Sequence, residues 1–416
     1  MDGGMKKYDV VIAGAGIVGL SIAWQLARRS TLRIAVLEKG AGVGEGSTGA
    51  SSAVCRCCYS LDELVYLARD GINAYRHWPE FTGLDSPRAG LNEDGVLWLP
   101  GRDRAWAERE HERLERMGIA TAVLDDAELN ERYPAINPCV HAPDLTTGEA
   151  HDCAGGGRHF LEIDGGWVDP VSAAQDLVDA CRRRGVEVRF RARLAGIDVN
   201  AAKVAGVTLD DGTALATPLL VNAAGPWCRE FYAEAGVDLD WDLVPTRIQV
   251  LHRERPPEIE GALPVTVDME GGVYFRTQNR GQQLIIGSVL EEDEREVVDD
   301  PDRVPETVDN DFQMLKMHTL HHRLPALPYR GRIMGYCGMY TVNRDDVHPI
   351  LGPTEIDGFW VANGFSGHGF KLGPAIGAMV ARAITGERDD FDTEVPIDFL
   401  RIDRDPISLD ARSVLA

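Results

Sequence analysis

The sequence predicts an α/β fold that also contains an antiparallel β-sheet, and three observations lead to this prediction. The segment from Lys7 to Lys39 has a buried run, a glycine-rich turn, a helical stretch and a second apolar run. Apolar and polar residues alternate between Leu243 and Gly287, which is typical of antiparallel strands. A strand, a glycine-rich turn and a helix recur after Gly358. A chain of 416 residues with this pattern is expected to form two domains.

The opening segment has the order of elements found in Rossmann-type dinucleotide sites. Gly14 makes the sharp turn after the first strand, Gly16 leaves room for a pyrophosphate, and Gly19 lets the helix lie close to the strand. Glu38 ends the second strand, where its carboxylate can accept hydrogen bonds from ribose hydroxyls. Together these features favour a dinucleotide cofactor over a purely structural βαβ unit.

Further elements follow in order along the chain. The predicted helices span 61–75, 104–117, 125–129, 169–184, 312–324 and 374–384. The predicted strands span 95–100, 185–190, 219–222, 246–251, 265–268, 273–276, 283–287, 333–340 and 358–363, with a hairpin over 197–209. Residues 138–157 are rich in turn formers and are predicted to be a loop.

Composition excludes several classes of protein. A formal net charge of −23 disfavours binding to nucleic acid or to anionic membranes. No apolar run approaches the length of a membrane span, and the first residues lack the apolar core of a signal peptide, so we expect a cytoplasmic location. The acidic stretches 291–294 and 299–302 are interpreted as solvated loops.

Metal binding is not predicted from the cysteine and histidine patterns. The eight cysteines show no repeated CxxC spacing and are interpreted as reduced thiols. His318, His321 and His322 share one predicted helix, but no carboxylate lies at ligand spacing on the same face.

A glycine- and serine-rich segment, residues 40–53, follows Glu38 and suits a loop around a cofactor, because it offers donors without bulk. Arg56 is the one charged residue in the apolar run that comes next. It can reach the surface or pair with an acid, or it can bind an anion, and the residues alone leave both interpretations open.

Three motifs in this order resemble the FAD-dependent oxidoreductases of the D-amino-acid oxidase superfamily, in the branch similar to sarcosine oxidase and dehydrogenase. They are the opening glycine motif with Glu38, residues 222–227 (NAAGPW) and residues 364–371 (GFSGHGFK). The resemblance covers nearly the whole chain. It implies a glutathione-reductase-like FAD-binding domain formed by residues 1–90, 158–235 and 331–390. Residues 91–157, 236–330 and 391–416 would form the substrate domain, whose antiparallel sheet covers the flavin.

The opening motif and the resemblance together give a set of expected FAD contacts. They are Gly14, Gly16, Ile17, Val18, Gly19, Glu38, Lys39, Ser47, Thr48, Ser51, Ser52, Val188, Ala224, Gly225, Trp227, Gly338, Gly367, His368, Gly369, Phe370 and Lys371. The start of the last helix is expected to place its dipole beside the negative charge of a reduced flavin.

The resemblance also implies how a substrate is held. Arg56 and Lys371 match the arginine and lysine that bind the substrate carboxylate in single-subunit sarcosine oxidases. The implied reaction is oxidation of an amino acid, secondary or N-methylated, by hydride transfer to flavin N5, and the imine then hydrolyses. Tyr340 is expected to line the pocket. His368 either favours the neutral amine by adding positive charge, contacts the substrate directly, or only orders its glycine loop. Oxidation of a 2-hydroxy acid, and a flavoprotein subunit that needs partner chains, are the alternative functions.

Two departures from the family pattern carry further expectations. Gly338 stands before Met339 and Tyr340, where the monomeric enzymes have the cysteine that attaches FAD, and Cys337 is one place further back. We therefore expect non-covalent FAD. Ile285 occupies the place of the lysine that speeds reaction with oxygen, which favours an electron acceptor other than oxygen. An oligomer is compatible with the sequence.

Overall fold

The computed structural model describes residues 5–144 and 151–408. The helices in these ranges are α1 (Ile17–Arg29), α2 (Asp62–Arg76), α3 (Trp78–Thr82), α4 (Arg104–Arg116), α5 (Asp126–Arg132), α6 (Pro170–Arg183), α7 (Cys228–Ala235), α8 (Asn310–Arg323) and α9 (Gly369–Thr385). The strands are β1 (Lys6–Lys7), β2 (Val10–Ala13), β3 (Ile34–Leu37), β4 (Val54–Cys55), β5 (Val96–Leu99), β6 (Thr121–Leu124), β7 (His159–Glu162), β8 (Gly166–Trp167), β9 (Glu187–Arg189), β10 (Leu194–Asn200), β11 (Lys203–Leu209), β12 (Ala214–Ala216), β13 (Leu220–Asn222), β14 (Leu243–Glu254), β15 (Val265–Asp268), β16 (Val273–Gln278), β17 (Gln283–Ser288), β18 (Ile333–Asn343), β19 (Ile350–Pro353) and β20 (Phe359–Asn363).

A six-stranded sheet with the order β19-β20-β13-β2-β3-β9 forms one side of the molecule. Its pairs are parallel except for the edge pair β19–β20. One apolar cluster joins this sheet to α1, α6 and α9, and a second lies beneath α7 and the four-stranded sheet β1-β12-β11-β10. Burial on both faces explains why β2 and β3 are continuous apolar runs, VVIA and IAVL.

An eight-stranded sheet, β18-β14-β17-β16-β15-β5-β7-β6, forms the other side. Its pairs are antiparallel except β15–β5. Phe275 of β16 and its cross-strand partner Ile286 of β17 are buried against Leu320 of α8. Their neighbours in sequence therefore point to the opposite face. The predicted fold class, an α/β domain with an antiparallel sheet, is confirmed.

Two strands differ in sheet membership from the predicted domain segments. Residues of β7 and β18 fall within segments assigned to the FAD-binding domain, yet both strands pair in the eight-stranded sheet. For β18 the reason is its length, since it continues to Asn343 and pairs with β14 from Leu243 to Arg253. A long antiparallel ladder fixes a strand to its partner regardless of its neighbours in sequence.

The last helix begins earlier than predicted. α9 starts at Gly369 rather than near Pro374, so the proline lies inside the helix. A proline cannot donate to the carbonyl four residues before it. That carbonyl belongs to Phe370 and accepts instead from the Tyr75 hydroxyl at 2.8 Å, which explains why the helix tolerates Pro374.

The predicted loop over 138–157 includes residues 145–150, which lie outside the described residues. Its described parts contain no helix or strand. Among the helices of the described chain, none combines the length and the apolar character needed to cross a bilayer.

Candidate active site

The glycine turn after β2 is packed too tightly to admit side chains. Gly14 has φ +106°, and a Cβ on it would lie 2.4 Å from the Ala223 carbonyl oxygen at the end of β13. A Cβ on Gly19 would lie 2.1 Å from the Gly14 carbonyl oxygen, so this glycine permits the close approach of α1. No side chain caps the N-terminus of α1. Its backbone N–H groups are therefore available to a phosphate, apart from Ile17 N, which donates to Thr48 Oγ1 at 3.0 Å.

The acid at the end of β3 is fixed in place by backbone donors. Glu38 Oε2 accepts from Ala15 N at 2.9 Å, and Glu38 Oε1 accepts from Gly40 N at 2.8 Å. The carboxylate thus lies beside the glycine turn, where the ribose of a dinucleotide would be.

Asp302 contacts both Lys39 and Trp227. Lys39 forms an ion pair with Asp302, whose Oδ1 also accepts from Trp227 Nε1 at 2.9 Å, and Lys39 Nζ lies 3.5 Å from the centre of the Trp227 ring. Hydrogen bonding to Lys39 lowers the pKa of Asp302 to about 2. Asp302 remains exposed, and its ion pair joins the acidic stretch 299–302 to residues that line the cavity.

A cavity of about 650 Å³ runs from the glycine turn to the eight-stranded sheet. Most of the predicted cofactor contacts line it, namely Gly14, Gly16, Ile17, Val18, Glu38, Lys39, Ser47, Thr48, Ser51, Ala224, Gly225, Trp227, Gly338, Gly367, Gly369 and Phe370. Tyr340 lines it as well.

Six predicted site residues do not line this cavity. Gly19 lies within α1, Val188 is buried in β9 beside β3, and Ser52 lines a smaller adjoining cavity with Tyr274 and Tyr340. The other three are Arg56, His368 and Lys371, which are buried.

The cavity fits the dinucleotide half of FAD by its own structure. Two glycine positions would be blocked by any Cβ, an uncapped helix N-terminus adjoins them, and a carboxylate lies at the end of the next strand. These are the features that bind a pyrophosphate and a ribose. When bound, FAD supplies the acceptor for the electrons removed from a substrate.

The predicted cations Arg56 and Lys371 converge on Tyr59. They are 4% and 5% exposed. Arg56 Cζ lies 4.2 Å and Lys371 Nζ lies 5.7 Å from the centre of the Tyr59 ring. His368 is fully buried at the N-cap of α9, and its ring meets Tyr59 edge-on with the centroids 5.2 Å apart. The structure thus brings Arg56 together with His368 and Lys371 from a distant segment, around an aromatic ring that the sequence analysis did not identify.

Burial has a strong effect on the charge of Lys371. Desolvation, and then the nearby Arg56 guanidinium, lower the pKa of Lys371 to about 7, while Glu162 acts in the opposite direction. Among the described residues, no carboxylate lies within ion-pair distance of Lys371. A bound anion would therefore stabilise the charged ammonium.

Glu162 supports the segment that carries Arg56. It is buried in β7, and its carboxylate accepts from Cys57 N at 2.5 Å, Cys58 N at 3.2 Å and Trp98 Nε1 at 2.9 Å. Arg56 in turn donates to the Cys58 carbonyl. Arg56 is therefore turned inward rather than towards the surface, and Glu162 fixes the backbone from which it projects. Glu162 lies outside every element predicted from the sequence, which gave no signal for this role.

The face of the eight-stranded sheet that points away from α8 carries a third buried cation. The register places Arg276 opposite Ile285 and Tyr274 opposite Gly287, so these side chains share that face. Arg276 is 2% exposed, donates to the Ser52 carbonyl at 2.7 Å, and lies 4.3 Å from the centre of the Trp167 ring. Desolvation lowers the pKa of Arg276 to about 10. The sequence signal for it was one arginine within the apolar strand VYFRT.

Non-covalent attachment of FAD is supported by the strand that precedes Met339. A Cβ on Gly338 would lie 2.6 Å from Ala50 Cβ, so a larger residue there would displace the serine-rich loop. Cys337 lines the cavity, but desolvation raises the pKa of its thiol, which disfavours the nucleophilic thiolate. We expect acid precipitation of the holoprotein to release all the yellow colour into the supernatant. Colour retained in the pellet of wild type but not of Cys337→Ser would contradict this.

The family model described as FAD dependent oxidoreductase (DAO) matches residues 9–383. FAD-dependent oxidoreductase domain-containing protein 1 of Xenopus laevis is 26% identical over 421 residues, which cover 91% of this chain and 79% of that protein. Dimethylglycine dehydrogenase, mitochondrial, of Rattus norvegicus is 24% identical over 402 residues, which cover 93% of this chain and 44% of that protein.

Solved structures share the fold. L-proline dehydrogenase from P. horikoshii aligns with a TM-score of 0.80 and 22% identity, over 96% of this chain and 97% of the other. At this identity the likeness shows a common fold, and it agrees with the arrangement of the two sheets described above.

Proposed function

The chain belongs to the DAO family of FAD-dependent oxidoreductases, and we propose that its substrate is a secondary or N-methylated amino acid. Oxidation at the carbon beside nitrogen gives an imine, which water hydrolyses to a carbonyl compound and an amine. The observation that carries the proposal is the buried pair of cations, Arg56 and Lys371, whose Cζ and Nζ atoms lie 4.2 and 5.7 Å from the centre of the Tyr59 ring. The names of two similar proteins, dimethylglycine dehydrogenase and L-proline dehydrogenase, refer to N-substituted amino acids and support this substrate class.

The cations are proposed to bind the substrate carboxylate. Desolvation lowers the pKa of Lys371, so a carboxylate beside it would stabilise its charged form. A guanidinium such as that of Arg56 can bind a carboxylate through two parallel hydrogen bonds. Binding at this point would orient the rest of the substrate towards the cavity, because Gly369 and Phe370 line it and adjoin Lys371 in sequence. Such positioning lowers the barrier to reaction by several kcal/mol.

Other residues of the chain complete the proposed site. His368, in edge contact with Tyr59, is assigned a positioning role at the start of α9. Tyr340 lines the cavity from β18. Arg276 adds positive charge on the facing sheet. Ile285 is apolar and shares a face with Arg276, so the chain has no cation at that position to favour reaction with oxygen. We therefore propose an acceptor other than oxygen.

An anaerobic panel of substrates tests this function directly, because loss of the flavin's yellow colour reports reduction without assuming an acceptor. The panel contains glycine, sarcosine, dimethylglycine, proline and lactate. Pyrrolidine serves as a matched control, since it is proline without the carboxylate. We expect bleaching by an N-substituted amino acid and at least about 100-fold slower bleaching by its decarboxylated partner.

The other outcomes of this panel distinguish the alternatives. Bleaching by lactate alone would overturn the proposal in favour of 2-hydroxy-acid oxidation. If no compound bleaches the flavin, the proposal fails for the isolated chain, and gel filtration with an activity assay on each fraction would test for a subunit that needs partner chains. Turnover with an artificial dye but not with air would support an acceptor other than oxygen, which we inferred from the apolar Ile285.

The affinity for a simple carboxylate is expected to fall as pH rises. The pKa of Lys371 is about 7 without a ligand, so its ammonium attracts an anion below that pH and loses its charge above it. Acetate is titrated by flavin absorbance from about pH 6 to about pH 9. We expect its Kd to rise by up to about tenfold per pH unit above the pKa of Lys371. Acetate has no amine, so no substrate proton contributes. Lys371→Met should remove this pH dependence of Kd. An unchanged pH dependence in this variant would contradict the assignment of Lys371 to the carboxylate.

A further inference from the structure

Two cysteines and two histidines form a cluster away from the flavin cavity. They are Cys139, His151, Cys153 and His322, and one potential ligand atom from each lies within 4.8 Å of the others. None of the four lines the cavity. Cys139 is buried, the two histidines are half-buried, and Cys153 is exposed, which leaves a route of entry from solvent.

The identity and spacing of these side chains match a closed zinc site. Two thiolates and two imidazoles form one of the common tetrahedral sets for structural Zn²⁺. Bond lengths of about 2.3 Å to sulfur and about 2.0 Å to nitrogen put a bound sulfur and nitrogen roughly 3.5 Å apart. Cys139 Sγ and His151 Nε2 are 3.4 Å apart. The His151 and His322 rings meet edge-on with their centroids 4.4 Å apart.

Neighbouring groups are arranged as they are around metal ligands. His322 Nε2 is buried and has no hydrogen-bond partner in the described part of the chain. A buried polar atom without a partner calls for an explanation, and a bound metal ion supplies one. Each sulfur also accepts an N–H, since Ala154 N lies 3.3 Å from Cys139 Sγ and Asn137 Nδ2 lies 3.5 Å from Cys153 Sγ. Such donors favour the thiolate.

A buried ion pair holds the two parts of the cluster together before any metal binds. Arg323 follows His322 in sequence and is fully buried with Asp268, at 2.6 and 2.9 Å. It also donates to the carbonyl oxygens of Asn137 at 3.1 Å and Cys139 at 2.5 Å. The segment that carries Cys139 is thus fixed to the end of α8, where His322 lies.

We propose that Cys139, His151, Cys153 and His322 bind one Zn²⁺, which ties the loop after α5 to the C-terminal end of α8. All four positions of the tetrahedron are filled by protein side chains, so the site is structural and leaves no position for a substrate. The sequence analysis considered the cysteine spacing and the three histidines of α8 separately, and neither pattern indicates this cluster. The two cysteines and His151 come from a part of the chain distant from α8, and only His322 comes from the helix.

Metal content of the full-length holoprotein tests the proposal. The protein is produced with zinc in the medium and purified without a histidine tag or chelator, and metals are measured by inductively coupled plasma mass spectrometry. We expect about one zinc per chain in wild type, and at least a tenfold loss in His322→Asn and in Cys139→Ser with Cys153→Ser. His318→Asn is the matched control on the same helix and should keep its zinc.

A cobalt spectrum keeps the test informative if a variant folds poorly. Wild-type protein stripped with a chelator and given Co²⁺ should show tetrahedral thiolate bands at wavelengths longer than those that oxidised flavin absorbs. Readdition of zinc should raise the Tm of the stripped protein. The proposal is overturned if zinc-supplemented wild type holds no more metal than the double serine variant. A Cys139–Cys153 disulfide in protein purified under reductant would overturn it equally.

Discussion

Replacing Arg56 or Lys371 is expected to raise KM for the preferred amino acid by on the order of 100-fold while FAD stays bound. Each substitution removes one of two buried charges that we assign to the substrate carboxylate, and the remaining partner cannot hold it alone. The measurements are steady-state KM with a dye as acceptor, and the flavin content of Arg56→Ala and Lys371→Met. The decarboxylated substrate is expected to respond little to either change. An unchanged KM in both variants would refute the proposal that Arg56 and Lys371 bind the substrate carboxylate.

The stability of Lys371→Met separates a binding role from a structural one. The pKa of Lys371 is about 7 in the folded protein, below the 10.5 of an exposed lysine. The unfolded chain therefore binds more protons between these values, and the charged lysine destabilises the fold most fully below about pH 7. We expect Lys371→Met to raise Tm at neutral pH even as it weakens substrate binding. Lys203→Met alters only an exposed pair with Asp357 and should change neither KM nor Tm appreciably. A fall in Tm for Lys371→Met would instead indicate a structural lysine.

The glycine motifs and Glu38 could be predicted from sequence because their requirements are local. A positive φ at Gly14, a close approach at Gly19 and an acid at the end of β3 depend on a few adjacent residues. The proposed carboxylate site depends on residues that are distant in sequence. Arg56 and Lys371 are 315 positions apart in sequence, and only the resemblance to a known family indicated that they meet. The structure adds the reason, which is that both reach the ring of Tyr59.

The face of a sheet on which a side chain lies, and the partner of a strand, could not be predicted from the sequence. Arg276 looked like one residue of a half-buried strand until the register with β17 placed it on the face shared with Ile285. Alternation along a strand shows that its side chains occupy two faces but not which face meets a cofactor. The same limit applies to β18, because its long ladder with β14 determines which sheet it joins. It applies also to Asp302, because its contact with Lys39 joins residues from separate loops.

Gly14→Ala is expected to abolish FAD binding. At φ +106° an L-residue is strained, and the new Cβ would lie 2.4 Å from the Ala223 carbonyl oxygen, which is backbone and cannot rotate away. The turn would have to move, and the N–H groups that follow it would no longer face the same point. We expect the purified variant to be colourless and to bind added FAD at least about 100-fold more weakly in a fluorescence titration.

Gly196→Ala is the matched control for this glycine. Gly196 lies in β10, has no positive φ, and its Cβ would come no closer than 4.0 Å to Thr208 Cβ. Any general sensitivity of the fold to an added methyl group would appear in both variants, whereas the proposed effect is confined to the phosphate-binding turn. A yellow Gly14→Ala protein with the FAD affinity of the control would show that the turn can relax, and it would remove the steric argument for where the pyrophosphate binds.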